Sequence, residues 1–106
     1  MNRFGLSDTQ LKLVQQAAKR FDDIESVVVF GSRAMGNNKK GSDMDLAIKG
    51  RNISADTVSS LSVLLNVELP LPQFFDVVHY DSLDNASLVQ HIDTKGIPLA
   101  PTSTAP

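Results

Sequence analysis

Cysteine is absent from this chain, which excludes a disulfide scaffold and any Cys-based zinc site. An excess of basic charge is absent too. Ten Lys plus Arg stand against 12 Asp plus Glu, a formal net charge of -2, so nothing in the balance marks tight binding along a nucleic-acid backbone, while a nucleotide ligand stays open. No apolar run approaches the roughly 20 residues that span a bilayer, and the N-terminal MNRFGLSDTQ lacks an apolar signal segment, so a cytoplasmic protein without membrane attachment is expected. There is no internal repeat. With 106 residues, the chain has room for one core and none for a second lobe. What is present, 42% hydrophobic and 21% charged residues, is the composition of an ordinary folded domain.

Leu6, Leu11, Val14, Ala17, Ala18 and Phe21 recur at helical spacing behind a suitable cap at Ser7 or Asp8, which predicts a first amphipathic helix over Asp8 to Arg20. Val27-Val28-Val29-Phe30 is short, β-branched and apolar throughout, the pattern of a buried central strand ending at Gly31-Ser32. GNNKKGS, residues 36–42, is rich in turn formers and reads as a mobile connection. In the next strand the period of two sets Asp43, Asp45 and Ala47 on one face and Met44, Leu46 and Ile48 on the other. Ser54 caps a second helix with an apolar stripe of Val58, Leu61, Leu64 and Leu65, which Pro70 and Pro72 forbid from continuing. Phe74 to Tyr80 reads as a third strand. A last helix starts at Asp84 or Asn85 and stops near Gly96, leaving Ile97-Pro98-Leu99 extended. One domain is expected over residues 1–100, with a disordered tail, PTSTAP, at 101–106. The order helix, strand, strand, helix, strand, helix does not suit a doubly wound sheet and predicts an α+β fold: a small mixed β-sheet with helices packed on one face.

Asp43 and Asp45 face the same way on one strand, about 7 Å apart along the chain, close enough to ligate one or two divalent ions. Bare carboxylates so placed repel each other, and a hard cation removes that penalty. A solvated pair on a surface strand is the plainer alternative. Gly31-Ser32 meets a potential helix turn, Ser32 to Met35, where free backbone N–H groups and a hydroxyl make a natural phosphate cradle. A Gly-Ser followed at one fixed distance by Asp-x-Asp arises by chance in roughly one chain of this length in a thousand. Asp76 lies on the third strand with apolar neighbours on both sides, where an ionised carboxylate needs a partner. Two rival motifs fail: Gly31 to Gly36 has P-loop glycine spacing but Asn37-Asn38 where Lys-Ser/Thr is required, and an EF-hand starting at Asp43 needs Gly at Ile48 and Glu at Ser54. Lys39 and Lys40 read as a solvated loop pair within reach of phosphate, His79 as a packing residue on the face opposite Asp76, and His91 as a helix-surface residue.

The stretch GSRAMGNNKKGSDMDLAI, Gly31 through Ile48, resembles the signature of the polymerase-beta-like nucleotidyltransferase superfamily: Gly-Ser, a short variable stretch, then Asp-x-Asp on the next strand. More narrowly, it is similar to the minimal nucleotidyltransferases (MNT) that pair with HEPN-domain toxins, and the likeness runs from the first helix to Leu99. The resemblance implies a metal-dependent nucleotidyltransferase in which Asp43, Asp45 and Asp76 hold two Mg²⁺ ions and Asp76 accepts the acceptor's proton. Gly31 and Ser32 then hold the triphosphate of ATP. Arg33, next in the motif, is assigned to the nucleotide, with a solvated surface arginine as its alternative. The implied reaction is transfer of AMP to a hydroxyl, a tyrosine on a HEPN toxin partner, with the chain as antitoxin. A binding module that silences a HEPN ribonuclease by covering it is the second reading. Transfer to a small molecule such as an aminoglycoside is the third, with a homo-oligomer standing in for the helical domain that such relatives add.

Overall fold

The computed structural model describes residues 4–36 and 42–99. Its elements follow from local chemistry. Helix α1 spans Asp8–Lys19. Ser7 opens it with a capping box: the Ser7 hydroxyl accepts the Gln10 N–H at 3.2 Å, and the Gln10 side-chain oxygen accepts the Ser7 N–H at 3.1 Å. Strand β1, Ser26–Phe30, is buried at its last four positions. A single turn of helix, α2, Ser32–Met35, follows directly. Strand β2 is Met44–Lys49, and helix α3, Ala55–Val63, is capped by the Ser54 side chain. α3 runs on into a π-helical turn over Leu64–Glu68, and the chain turns extended at Leu69, ahead of Pro70. Strand β3 covers Phe75–His79, a 3₁₀ turn Tyr80–Ser82, helix α4 Ala86–Lys95 and strand β4 Ile97–Pro98. Asn85 caps α4 by accepting the Leu88 N–H.

The four strands form one mixed sheet in the order β3-β2-β1-β4. β1 runs antiparallel to both β2 and β4, and the α3 crossover makes β2 and β3 parallel. The Asn66 side chain of the π-helical turn both donates to the Phe75 carbonyl and accepts the Phe75 N–H, giving the edge strand backbone partners it would otherwise lack.

The α+β class and the mixed sheet are those the sequence predicts. One helix departs from the one-sided layering. α1 and α3 cover the face that carries Val27, Val29, Met44, Leu46, Ile48 and Phe75, which make the main core with Leu11, Val14, Leu61 and Leu65. α4 covers the opposite face, where Ile92 packs with Val28, Phe30 and Ala47. That explains why β1 is apolar at consecutive positions: alternate residues of one strand serve two separate helix layers. The predicted tail, residues 101–106, and most of the predicted 36–42 connection, including Lys39 and Lys40, lie outside the described residues. No helix among the described residues is long and apolar enough to cross a membrane.

Candidate active site

The site forms where β1 ends and β2 and β3 begin. β1 stops because Gly31 takes φ +78° and ψ -159°, a backbone conformation that β-carbon-bearing residues rarely adopt. Its bare Cα also matters for space, since a Cβ there would stand 2.2 Å from the Asp45 Oδ2 atom. The strand end therefore lies against the Asp45 carboxylate. α2 begins at the next residue, and the Met35 N–H returns to the Gly31 carbonyl at 3.2 Å.

Asp45 sits on β2 opposite Phe30 of β1 and level with Asp76 of β3 in the parallel register. Asp43 is exposed and lies one residue before β2; it shares the Asp45 face by the strand's alternation. The three predicted acids thus come from two neighbouring strands to one end of the sheet, on the face that α4 covers. Burial pushes the Asp45 carboxyl above the usual carboxylate range, and the charges of Asp76 and then Asp43 push it the same way. Asp76 itself is exposed, so water solvates it, and its apolar neighbours do not force a partner on it as its strand position suggests. Among the described residues no three His, Cys, Asp or Glu side chains stand gathered tightly enough to hold an ion as they are. The donor set nonetheless suits a hard divalent cation: it is all oxygen, it is anionic, and the strain within it is the mutual repulsion that such a cation relieves.

Ser32 is half-buried at the first position of α2, directly after Gly31. Arg33 is not the solvated surface arginine that its alternative reading expects. It is only 5% exposed, and its guanidinium is taken up by backbone carbonyls: Nε and Nη2 donate to Ser42 O at 3.1 and 2.7 Å, and Nη1 to Phe4 O at 2.6 Å. It ties the segment before α1 and the residue just before Asp43 to α2. The planar fork of three aligned donors suits arginine to that clamp, and burial is tolerable because those donors are satisfied.

His79 faces away from the acids and shares a hydrogen bond with the Ser82 hydroxyl through Nδ1. His91 differs from its sequence reading. It is half-buried, its Nε2 accepts the Gly31 N–H at 3.0 Å, and its ring meets Phe30 edge-to-face at 6.1 Å between centroids. Nothing in the sequence marks this contact, because 60 residues separate the partners.

The family model described as polymerase beta, nucleotidyltransferase, matches residues 12–104, and the chain belongs to that family. Solved structures share the fold. A chain of a toxin–antitoxin crystal structure with AMP-PNP superposes with a TM-score of 0.69 at 22% identity, over 89% of this chain and 74% of that one. A tri-AMPylated Shewanella oneidensis HEPN toxin in complex with MNT antitoxin contains a chain with a TM-score of 0.68 at 18% identity, over 92% and 74%. The MntA–HepT toxin–antitoxin structure gives 0.67 at 18% identity, over 91% and 74%. No curated protein matches the sequence. The chain is a nucleotidyltransferase-type domain with the fold of the MntA antitoxins.

Proposed function

We propose that this domain transfers AMP from ATP to a hydroxyl, a tyrosine of a HEPN toxin, and acts as the antitoxin of that pair. The observation that carries the reading is the Asp45–Asp76 register beside the Gly31 corner: two carboxylates on adjacent strands, one of them against the bare Cα of Gly31. Two structural neighbours, an AMP-PNP complex and an AMPylated toxin with its antitoxin, support the choice of nucleotide and acceptor. The matching chains come from toxin–antitoxin complexes, which supports a HEPN partner.

In this reading Asp43 and Asp45 hold Mg²⁺ with the triphosphate, and Asp76 holds a second ion. When bound, Mg²⁺ offsets the negative charge gathering on the phosphates. Gly31 serves by its missing side chain, which keeps Asp45 close, and Ser32 offers its hydroxyl and N–H to phosphate oxygens. The acceptor oxygen forms a bond to the α-phosphorus, the bond from that phosphorus to the pyrophosphate oxygen breaks, and the acceptor proton passes to Asp76. One domain over residues 1–100 in the cytoplasm is enough for this, provided the acceptor comes from another chain.

The test is incubation of the purified protein with labelled ATP, Mg²⁺ and the product of the neighbouring gene. Label on a partner tyrosine is expected, lost when Asp43→Asn and Asp45→Asn are combined. Absence of label with the wild-type chain rejects the reading.

Exposed apolar side chains favour a second reading, neutralisation by covering: Val67 is 75% and Phe74 57% exposed, near the β3 edge. Neutralisation that survives the double substitution selects it.

A further inference from the structure

α4 adds a side chain to the site that the Gly-Ser and Asp-x-Asp pattern does not contain. The Gly31 N–H points toward α4 and is accepted by His91 Nε2 at 3.0 Å. Because Nε2 is the acceptor, the His91 proton resides on Nδ1. The ring is held from the other side by its edge-to-face contact with Phe30, the residue that ends β1. α4 is itself anchored: Ile92 is buried against Val28, Phe30 and Ala47, and a Cβ at Gly96 would stand 2.5 Å from a Val28 methyl. The chain thus has a strut from the helix layer to the backbone position against which the Asp45 carboxylate lies.

We propose that His91 is a positioning residue for nucleotidyl transfer: by accepting the Gly31 N–H it holds the strand-end corner in the conformation that keeps Asp45 seated against Gly31. This rests on the transfer reading above. It also divides labour within the corner. The Gly31 N–H is committed to His91, so phosphate contact falls to Ser32 and the residues after it. An imidazole suits the role because one rigid ring both packs on Phe30 and presents a lone pair at a set distance from the helix.

Two substitutions at one position separate packing from hydrogen bonding. His91→Leu keeps an apolar side chain for Phe30 and removes the acceptor; His91→Gln keeps an acceptor and removes the ring. For a positioning acceptor, His91→Leu weakens binding of Mg²⁺-loaded AMP-PNP and lowers kcat/KM for ATP, together by about 10- to 100-fold, the cost usual for residues that orient metal-site carboxylates, and His91→Gln restores most of it. The wild-type chain gives a scalar coupling across the bond between the Gly31 amide nitrogen and His91 Nε2 in the nitrogen-resolved NMR spectrum, and His91→Leu loses the protection of the Gly31 amide from exchange. Absence of that coupling, or a Leu variant equal to wild type in AMP-PNP affinity while the Gln variant is impaired, overturns the proposal. A wild-type chain that shows the coupling and binds AMP-PNP but labels no acceptor rejects the transfer reading and leaves the strut standing.

Discussion

The two faces of the sheet are made by the same strands and do opposite work. Under α1 and α3, Met44, Leu46, Ile48 and Phe75 are sealed into a continuous apolar layer. Under α4, the alternate residues give a small apolar cluster, Val28, Phe30, Ala47 and Ile92, that stops short of the strand ends, where Asp45 and Asp76 lie side by side. One face holds the fold together. The other keeps charges close together that would rather be apart. A single strand can serve both ends because side chains alternate, so a carboxylate at one position need not weaken the packing of its neighbours.

Four substitutions test that division. Phe75→Ala, on the sealed face, empties a site with no solvent exposure and is expected to cost about 3–5 kcal/mol of stability, read from the denaturant midpoint. A loss under about 1 kcal/mol would mean the layer is not close-packed there. Gly31→Ala, at the border of the two faces, forces a side chain into a positive-φ position and against Asp45; it should cost about 1–3 kcal/mol and depress transfer about 100-fold, through displacement of the acid. Transfer rates and thermal melts on one preparation decide it, and a variant as active as wild type would show that the close approach is dispensable.

Arg33→Met removes the clamp between Phe4 and Ser42 while keeping the side chain's bulk. It should destabilise by about 1–3 kcal/mol, because two part-buried carbonyls lose charged donors, with nucleotide affinity changed less than by Gly31→Ala. The reverse ranking, lost AMP-PNP affinity in a chain of normal stability, would return Arg33 to the nucleotide.

The smallest effect on stability is also the sharpest. Asp45→Asn should abolish transfer yet stabilise the metal-free chain by about 1 kcal/mol or less, read as a higher melting point. The sign follows from the raised carboxyl: the folded chain holds that proton more tightly than the unfolded one, so Asp45 favours folding below the ordinary carboxylate range, and the contribution is lost as pH rises through its own elevated pKa. The two proteins should therefore melt alike in acid and diverge as pH climbs through that window, with Asp45→Asn the more stable above it. Mg²⁺ should close the gap by stabilising the wild type alone. A variant less stable than wild type at neutral pH would contradict the account of repulsion.

What the chain's own order made legible is local. Ser7 with Gln10, Ser54 and Asn85 mark helix starts within four residues of the hydrogen bonds they make, and the Asp43 to Ile48 alternation places two acids on one face from period alone. The Gly31-Ser32 corner and the Asp-x-Asp pair were readable as a motif for the same reason: their chemistry is set by neighbours along the chain.

The remaining decisions belong to the tertiary structure. Only the α3 crossover and the parallel register put Asp76 level with Asp45, and only the packing of α4 on the far face, rather than beside α1 and α3, sets His91 on the Gly31 N–H. Arg33 likewise reads as a nucleotide ligand or a solvated surface charge, and only the segments holding Phe4 and Ser42 closing around it make it a clamp. Period and capping report which face a residue occupies. They carry no information on which distant segment arrives there, because that depends on burying two apolar faces of one sheet at once.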